Sequence, residues 1–282
     1  MAEREQYDRS TKWLLQHHGD SILRLGGVGP VQSWRAVQAD IVHPRRLPDG
    51  LLEVTFAGRT DPDLFLVEIA TYAERRVPDQ LADDIALVLL ERRMLPEVLT
   101  VVLHTRGNAR VGDSYELRSR LGWTRLAVAW RVVELWNVPA EQLLAVNDIG
   151  LIPWVPLAQF SDPPAVVLQE CRRRIDQQAA PQEHANLLAV TQVLTQIRYN
   201  EPQLLSLLGG KKTMIESPLI QELVAESRHK DILRVLNARL GPVPPEIATA
   251  LDGIQDEAKL DELVDWASRS PSLDAFRSRL GA

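Results

Sequence analysis

Two carboxylates sit inside otherwise apolar, strand-like runs: Glu53 in LLEVTFA (51–57) and Glu68 in DLFLVEIA (63–70). An unpaired charge inside a buried strand is expensive, so a carboxylate there asks for a partner. The turn signal between the runs, GRTDPD (58–63), folds the second strand back on the first and could aim both glutamates at one site. Paired carboxylates hold a hard divalent cation such as Mg2+ or Mn2+ through oxygen, and such a cation activates water and stabilises charge developing on a phosphate. Asp63 and Asp61 offer further acidic ligands at the mouth of the strand pair. The plainer alternative has Glu53 alternating outward to solvent and Glu68 pairing with Arg75 or Arg76.

The elements that must position these groups follow from hydrophobic period. Residues 6–26 predict one amphipathic helix, with Trp13, Leu14, Ile22, Leu23 and Leu25 on its apolar face and Gly26-Gly27 as its stop. Trp34–Val42 alternates and predicts a strand, and Leu-Pro-Asp-Gly (47–50) predicts a turn before the Glu53 strand. The run 63–70 is apolar except for Glu68, as expected of a strand buried on both faces. Residues 77–93 predict a helix, 97–103 another buried strand, and 123–136 strand with a break near Ala127. Two strands joined through a full helix make a crossover, so part of the sheet is expected to be parallel. Beyond Pro163 no strand pattern occurs. Helices are expected over 164–178, 181–199, 217–229, 231–240, 244–252 and 257–268, with Gly209-Gly210-Lys211-Lys212 as a linker.

Composition bounds the function classes. Hydrophobic residues make up 45% and charged residues 25% of 282, enough for a buried core. The net charge of −6 argues against a protein that coats nucleic acid over its whole surface, but a local basic patch remains compatible with DNA binding. Only five of the 32 basic residues are lysines, and none lies between Lys12 and Lys211. No apolar run is long enough to span a bilayer, and the charged start MAEREQYDRS lacks the apolar stretch of a secretory signal, so no membrane partner is expected and the cytoplasm is the simplest compartment.

The order of YDRSTKWLLQHHGDSILRL (7–25), the strand pair around Glu53 and Glu68, the following helix and EVLTVVL (97–103) resembles the Rpn family of recombination-promoting nucleases and transposase-related proteins. A branch common in cyanobacteria and planctomycetes, carrying the phrase PDLFLVEIATY, is especially similar. The likeness covers roughly residues 6–135, and 233–267 resembles a small helical domain often attached to such proteins. The resemblance implies a PD-(D/E)XK nuclease-like α/β core, a mixed sheet flanked by helices, followed by an all-α C-terminal region. Its expected divisions are a nuclease-like domain over 1–160, a helical extension over 161–210 and a small helical domain over 211–282. It also implies an active site with one acidic residue on one strand and Glu-x-Lys or Glu-x-Gln on the next. Carried over, Glu53 takes the first acidic position and Glu68 the second, while Ala70 stands where lysine or glutamine is expected. Lys12 on the first helix and Gln80 on the helix after the strands are the candidates to replace that donor. An alignment on Asp40 and Glu53 would put Thr55 in the lysine position and fits worse.

Two functions follow as expectations. One is a Mg2+- or Mn2+-dependent DNA endonuclease with Glu53, Glu68 and Asp63 around the metal and Gln80 or Lys12 assisting. The other is an inactive descendant that binds nucleic acid or protein, with the C-terminal helices joining copies of the chain. The remaining motifs are weaker. His17-His18 face different ways on a helix, and the glycine run 26–29 follows a helix rather than the strand a phosphate loop needs. Cys171 with Arg172–Arg174 reads as a bystander on a solvated helix face, and most of the seven tryptophans read as core.

Overall fold

A computed structural model describes residues 2–37, 48–120 and 122–280, with side chains from residue 6 onward. The expected strand end over 38–42 and Asp40 lie outside the described residues. The chain divides into two compact units, Met1–Gly210 and Lys211–Ala282.

The first unit is mixed α/β. Helices α1 (Ala2–His17) and α2 (Gly19–Leu25) replace the single expected helix. The break falls at His18, whose φ of −137° leaves the helical region. It sets Gly19 flat against the ring of Trp34, where a Cβ would come within 2.8 Å. Strands β1 (Val31–Val37), β2 (Gly50–Phe56) and β3 (Asp63–Tyr72) pair antiparallel in sequence order. Helix α3 (Val77–Arg92) then crosses over to β4 (Glu97–His104), which is parallel to β3. The run 123–136 divides at buried Trp130. Its first half is β6 (Arg125–Ala129), paired with a strand that sequence period did not show, β5 (Ser114–Arg118). Its second half, β7 (Arg131–Glu134), joins the main sheet parallel to β4, giving the order β1-β2-β3-β4-β7.

Side chains alternate across this sheet, so each face takes its own cover. Helices α1 and α2 press on one face, where Leu15 meets Gly50, Leu52 meets Gly19 and Leu99 meets Gly26. Helix α3 covers the other, packing Leu81, Ile85 and Val88 on Leu51, Leu64, Leu66, Ala70, Val98 and Val102. The rest of the unit is helical: α4 (Ala140–Ala145), a 3-10 segment over Ile149–Leu157, α5 (Pro164–Gln178), α6 (Pro181–Arg198) and α7 (Pro202–Ser206). Helices α5 and α6 pack on the 3-10 segment, and α6 also reaches α1, so the segment 161–210 sits with the sheet in one unit.

The second unit is all helix: α8 (Gly210–Glu216), α9 (Pro218–Leu240), α10 (Pro245–Asp252), α11 (Glu257–Arg269) and α12 (Leu273–Leu280). Helix α9 runs unbroken where two helices were expected; its His229 is buried and donates from Nε2 to the Ile254 carbonyl at 2.9 Å. Asp256 caps α11 by accepting from the Lys259 N–H at 2.7 Å. Ile232, Leu236, Ile247, Leu251, Leu260 and Phe276 form a core of this unit's own. Phe276→Ala is expected to cost about 3–5 kcal/mol, measured by denaturant unfolding of the full chain, because a fully buried ring leaves a cavity.

Candidate functional site

The register of β2 and β3 decides which carboxylates meet. Gly50 stands opposite Val67 and Glu53 opposite Leu64, so Asp49, immediately before β2, faces Glu68. Glu53 is four residues further along, roughly 13 Å at the rise of an extended strand. The expected Glu53–Glu68 pair is therefore not formed. Glu53 is instead held by Arg35 on the neighbouring strand, which donates from Nε and Nη2 at 3.1 and 3.0 Å. Asp63 is likewise taken up by Arg59 at 2.9 Å, and Asp61 is exposed in the turn. These three acids lie at the far end of the hairpin from Glu68.

What surrounds Glu68 is a cavity of about 500 Å3 between the start of α1, the end of β3 and the start of α3. Asp8, Asp49, Glu68, Ala70 and Gln80 are among its lining residues, with Arg76 and Arg106 at exposed positions on its wall. The Asp49 carboxylate is anchored because its Oδ2 accepts from the Ile69 N–H at 2.8 Å. Gln80 Nε2 donates to Glu68 Oε1 at 3.0 Å, while Glu68 Oε2 is buried with no hydrogen-bond partner among the described residues. Lys12 Nζ reaches from α1 to 3.0 Å from Asp8 and 4.0 Å from Asp49. Lys12 and Gln80, picked out as replacement donors, thus come together around Glu68 and Asp49 even though they are remote in sequence.

Electrostatics at this site favour a bound cation. Burial pushes the Glu68 carboxyl up to about 8, and the charges of Asp49 and of Asp84 on α3 push it the same way. Burial also raises Asp49, to about 6, with the Asp8 charge adding to it while the Ile69 N–H and Lys12 oppose it. Both groups resist ionising together, and a positive charge placed between them would remove that cost. Among the described residues, no three His, Cys, Asp or Glu side chains gather into a group able to hold a metal by themselves. A donor set of two carboxylates fits Mg2+ or Mn2+, which usually complete their coordination with water and substrate phosphate. The unpartnered Glu68 Oε2 is the observation that supports the fit.

Ala70 lies two residues beyond Glu68, on the same face of β3 and in the cavity wall. Asp49 escaped the sequence reading because Leu-Pro-Asp-Gly looks like a simple turn. The usable signal was an acid directly before an apolar strand.

The other motifs resolve into structure. Arg172 and Arg174 donate to the carbonyls of Leu207 and Leu144, and Arg173 holds Glu170, so the arginine run ties its own unit together. Burial pushes the Cys171 thiol up to about 12, which removes it as a nucleophile. No helix among the described residues is long and apolar enough to cross a membrane. Comparison with known proteins finds no matching family model, no matching curated protein and no matching solved structure.

Proposed function

We propose that the chain is a divalent-metal-dependent phosphodiesterase acting on DNA, built on the PD-(D/E)XK nuclease plan that its sequence resembles. The observation that carries the reading is the opposition of Asp49 and Glu68 across antiparallel strands, at a cavity that Gln80 lines and with Lys12 Nζ 4.0 Å from Asp49. Pro48-Asp49 followed by Glu68-Ile69-Ala70 fits the order of the PD-(D/E)XK motif, with Asp49 in the first acidic position in place of Glu53. Asp49 and Glu68 would hold Mg2+ or Mn2+. When bound, the cation supplies Lewis acidity to the phosphate and lowers the pKa of water beside it.

The chain's own residues do the rest. Gln80 fixes the Glu68 carboxylate through the 3.0 Å hydrogen bond, leaving Oε2 for the ligand. Lys12 puts a positive charge beside Asp49 and Asp8 and helps keep Asp49 ionised. Arg76 and Arg106, exposed on the cavity wall, are placed to receive phosphate oxygens flanking the scissile bond.

A second reading is favoured by Ala70: the fold persists as a binding module without catalysis. Incubation of supercoiled plasmid with the full chain and Mn2+ or Mg2+ separates the two. Cleavage is expected, and Glu68→Ala or Asp49→Ala should each lower it by at least about 100-fold. Wild-type protein that leaves plasmid intact, or cleavage that survives both substitutions, would sink the catalytic reading. Calorimetric Mn2+ binding lost in Asp49→Ala but kept in Glu53→Ala is the expected companion result.

A further inference from the structure

The hairpin β5–β6 offers a surface that the cavity does not explain. At its turn Trp123 is 88% exposed, and it has no aromatic or cation–π partner among the described residues. Isolated exposed apolar residues are ordinary. This one stands at the turn of a ribbon whose Leu117 and Leu126, directly opposed across the hairpin, are 51% and 46% exposed. Arginines flank the turn in sequence, at 118, 120 and 125. Arg118 and Arg125 are both held by Glu116, which fixes two guanidinium groups on one side of the ribbon. Arg120 is exposed and has no ion-pair partner among the described residues. From 104 to 131 the chain carries six arginines against Asp113 and Glu116, in a protein whose net charge is −6.

The tip is held in place. The Ser119 N–H donates to the Thr124 carbonyl and the Gly122 N–H to the Ser119 carbonyl, each at 2.8 Å, while the Thr124 N–H donates to Ser119 Oγ at 3.0 Å. Gly122, at a φ of +73°, supplies the left-handed residue that this turn requires. At the base, buried Trp130 donates from Nε1 to the Gly112 carbonyl at 3.0 Å, and Tyr115 and Val128 pack on the core beneath α3. Gly112 lies close enough to α3 that a Cβ on it would touch Pro78, two residues before Gln80. Hairpin and cavity are therefore braced by the same end of one helix.

An exposed aromatic ring at the turn of a ribbon that holds two guanidinium groups on one face suits a nucleobase on the ring and phosphates on the guanidinium groups. We infer that the β5–β6 hairpin is a docking platform for single-stranded nucleic acid, with Trp123 stacking on an unpaired base and Arg118, Arg120 and Arg125 contacting its backbone. An unpaired strand is favoured over duplex because a stacking ring needs a base face that pairing and stacking do not already cover. This inference deepens the DNA reading of the cavity but does not depend on cleavage.

The test is fluorescence anisotropy of a labelled twenty-residue oligothymidylate titrated with the full chain in EDTA, where no metal-dependent step occurs. Trp123→Ala is expected to weaken binding about tenfold and Trp123→Phe to restore most of it. Arg120→Gln should lower the slope of log affinity against log salt by about 0.7, one phosphate contact to a single strand. Because the titration is run without metal, oligonucleotide binding kept while plasmid cleavage is absent, or the reverse, separates failure of the cavity from failure of the platform. Melting temperatures should stay unchanged, since the exposed ring contributes little packing. Wild-type protein that does not bind, equal affinity in Trp123→Ala, or duplex bound as tightly as the single strand would overturn the inference. So would self-association in sedimentation that Trp123→Ala abolishes, because the surface would then belong to a second copy of the chain.

Discussion

Ala70→Lys is expected to raise the rate of Mn2+-dependent plasmid cleavage by about 100-fold over the wild type, with Ala70→Gln giving a smaller gain. Position 70 shares its strand face with Glu68 and lines the same cavity, so a side chain that extends from it is directed along that face toward the site. Its ammonium would lie near two carboxyls that burial and mutual repulsion hold above their ordinary range. It would draw both back down while supplying a donor to the reacting phosphate. Combining Ala70→Lys with Glu68→Ala should abolish the gain. If both position-70 variants fold and cleave at the wild-type rate, the donor is not missing. Gln80→Ala and Lys12→Ala then identify which side chain already supplies it.

The second large effect concerns stability. Glu68 titrates at about 8 in the folded chain, above the ordinary 4.5. Across that interval the folded state holds a proton that the unfolded state has lost, so stability falls as pH rises. Asp49, raised to about 6 from 3.8, acts in the same direction at the lower end. In EDTA, these two groups should therefore make wild-type stability decline from about pH 4 to about pH 8. Glu68→Gln keeps the acceptor for Gln80 and removes the titration, so its decline should be shallower. By pH 8 the variant is expected to be the more stable by on the order of a few kcal/mol. Parallel curves for the two proteins in denaturant titrations would show that Glu68 ionises freely and that the cavity is wetter than its burial indicates.

The parts of this fold that hydrophobic period made legible are those where one period runs unmixed. Strands β2, β3 and β4 and helix α3 lie within a residue or two of where apolar spacing put them. Strand β5 was hidden because four of its five residues are exposed, and a ribbon held mainly by its partner leaves little apolar pattern. Trp123 begins a run whose pattern predicts strand, but it precedes β6 and stands exposed at the turn of the hairpin. The mispairing of Glu53 has a simple geometric cause. Matching Glu53 to Glu68 puts the centre of the turn two residues later than the observed register does, and in a hairpin that error moves the partner by four. Asp49 was present in the sequence but carried the look of a turn former.

That register also bears on how such a site can be inherited. Thr55 and Phe56, at the end of β2, pair only with β1, and β3 resumes the ladder at Asp63 opposite Val54. The connecting residues can therefore lengthen or shorten without moving Asp49 from its place across from Glu68, as long as the ladder keeps its step. A slip of one residue would throw the two carboxylates to opposite sides of the sheet. Descent would then conserve an opposition in space while letting the count of intervening residues drift. Distant relatives are better sought by folding the hairpin on paper than by counting along the chain.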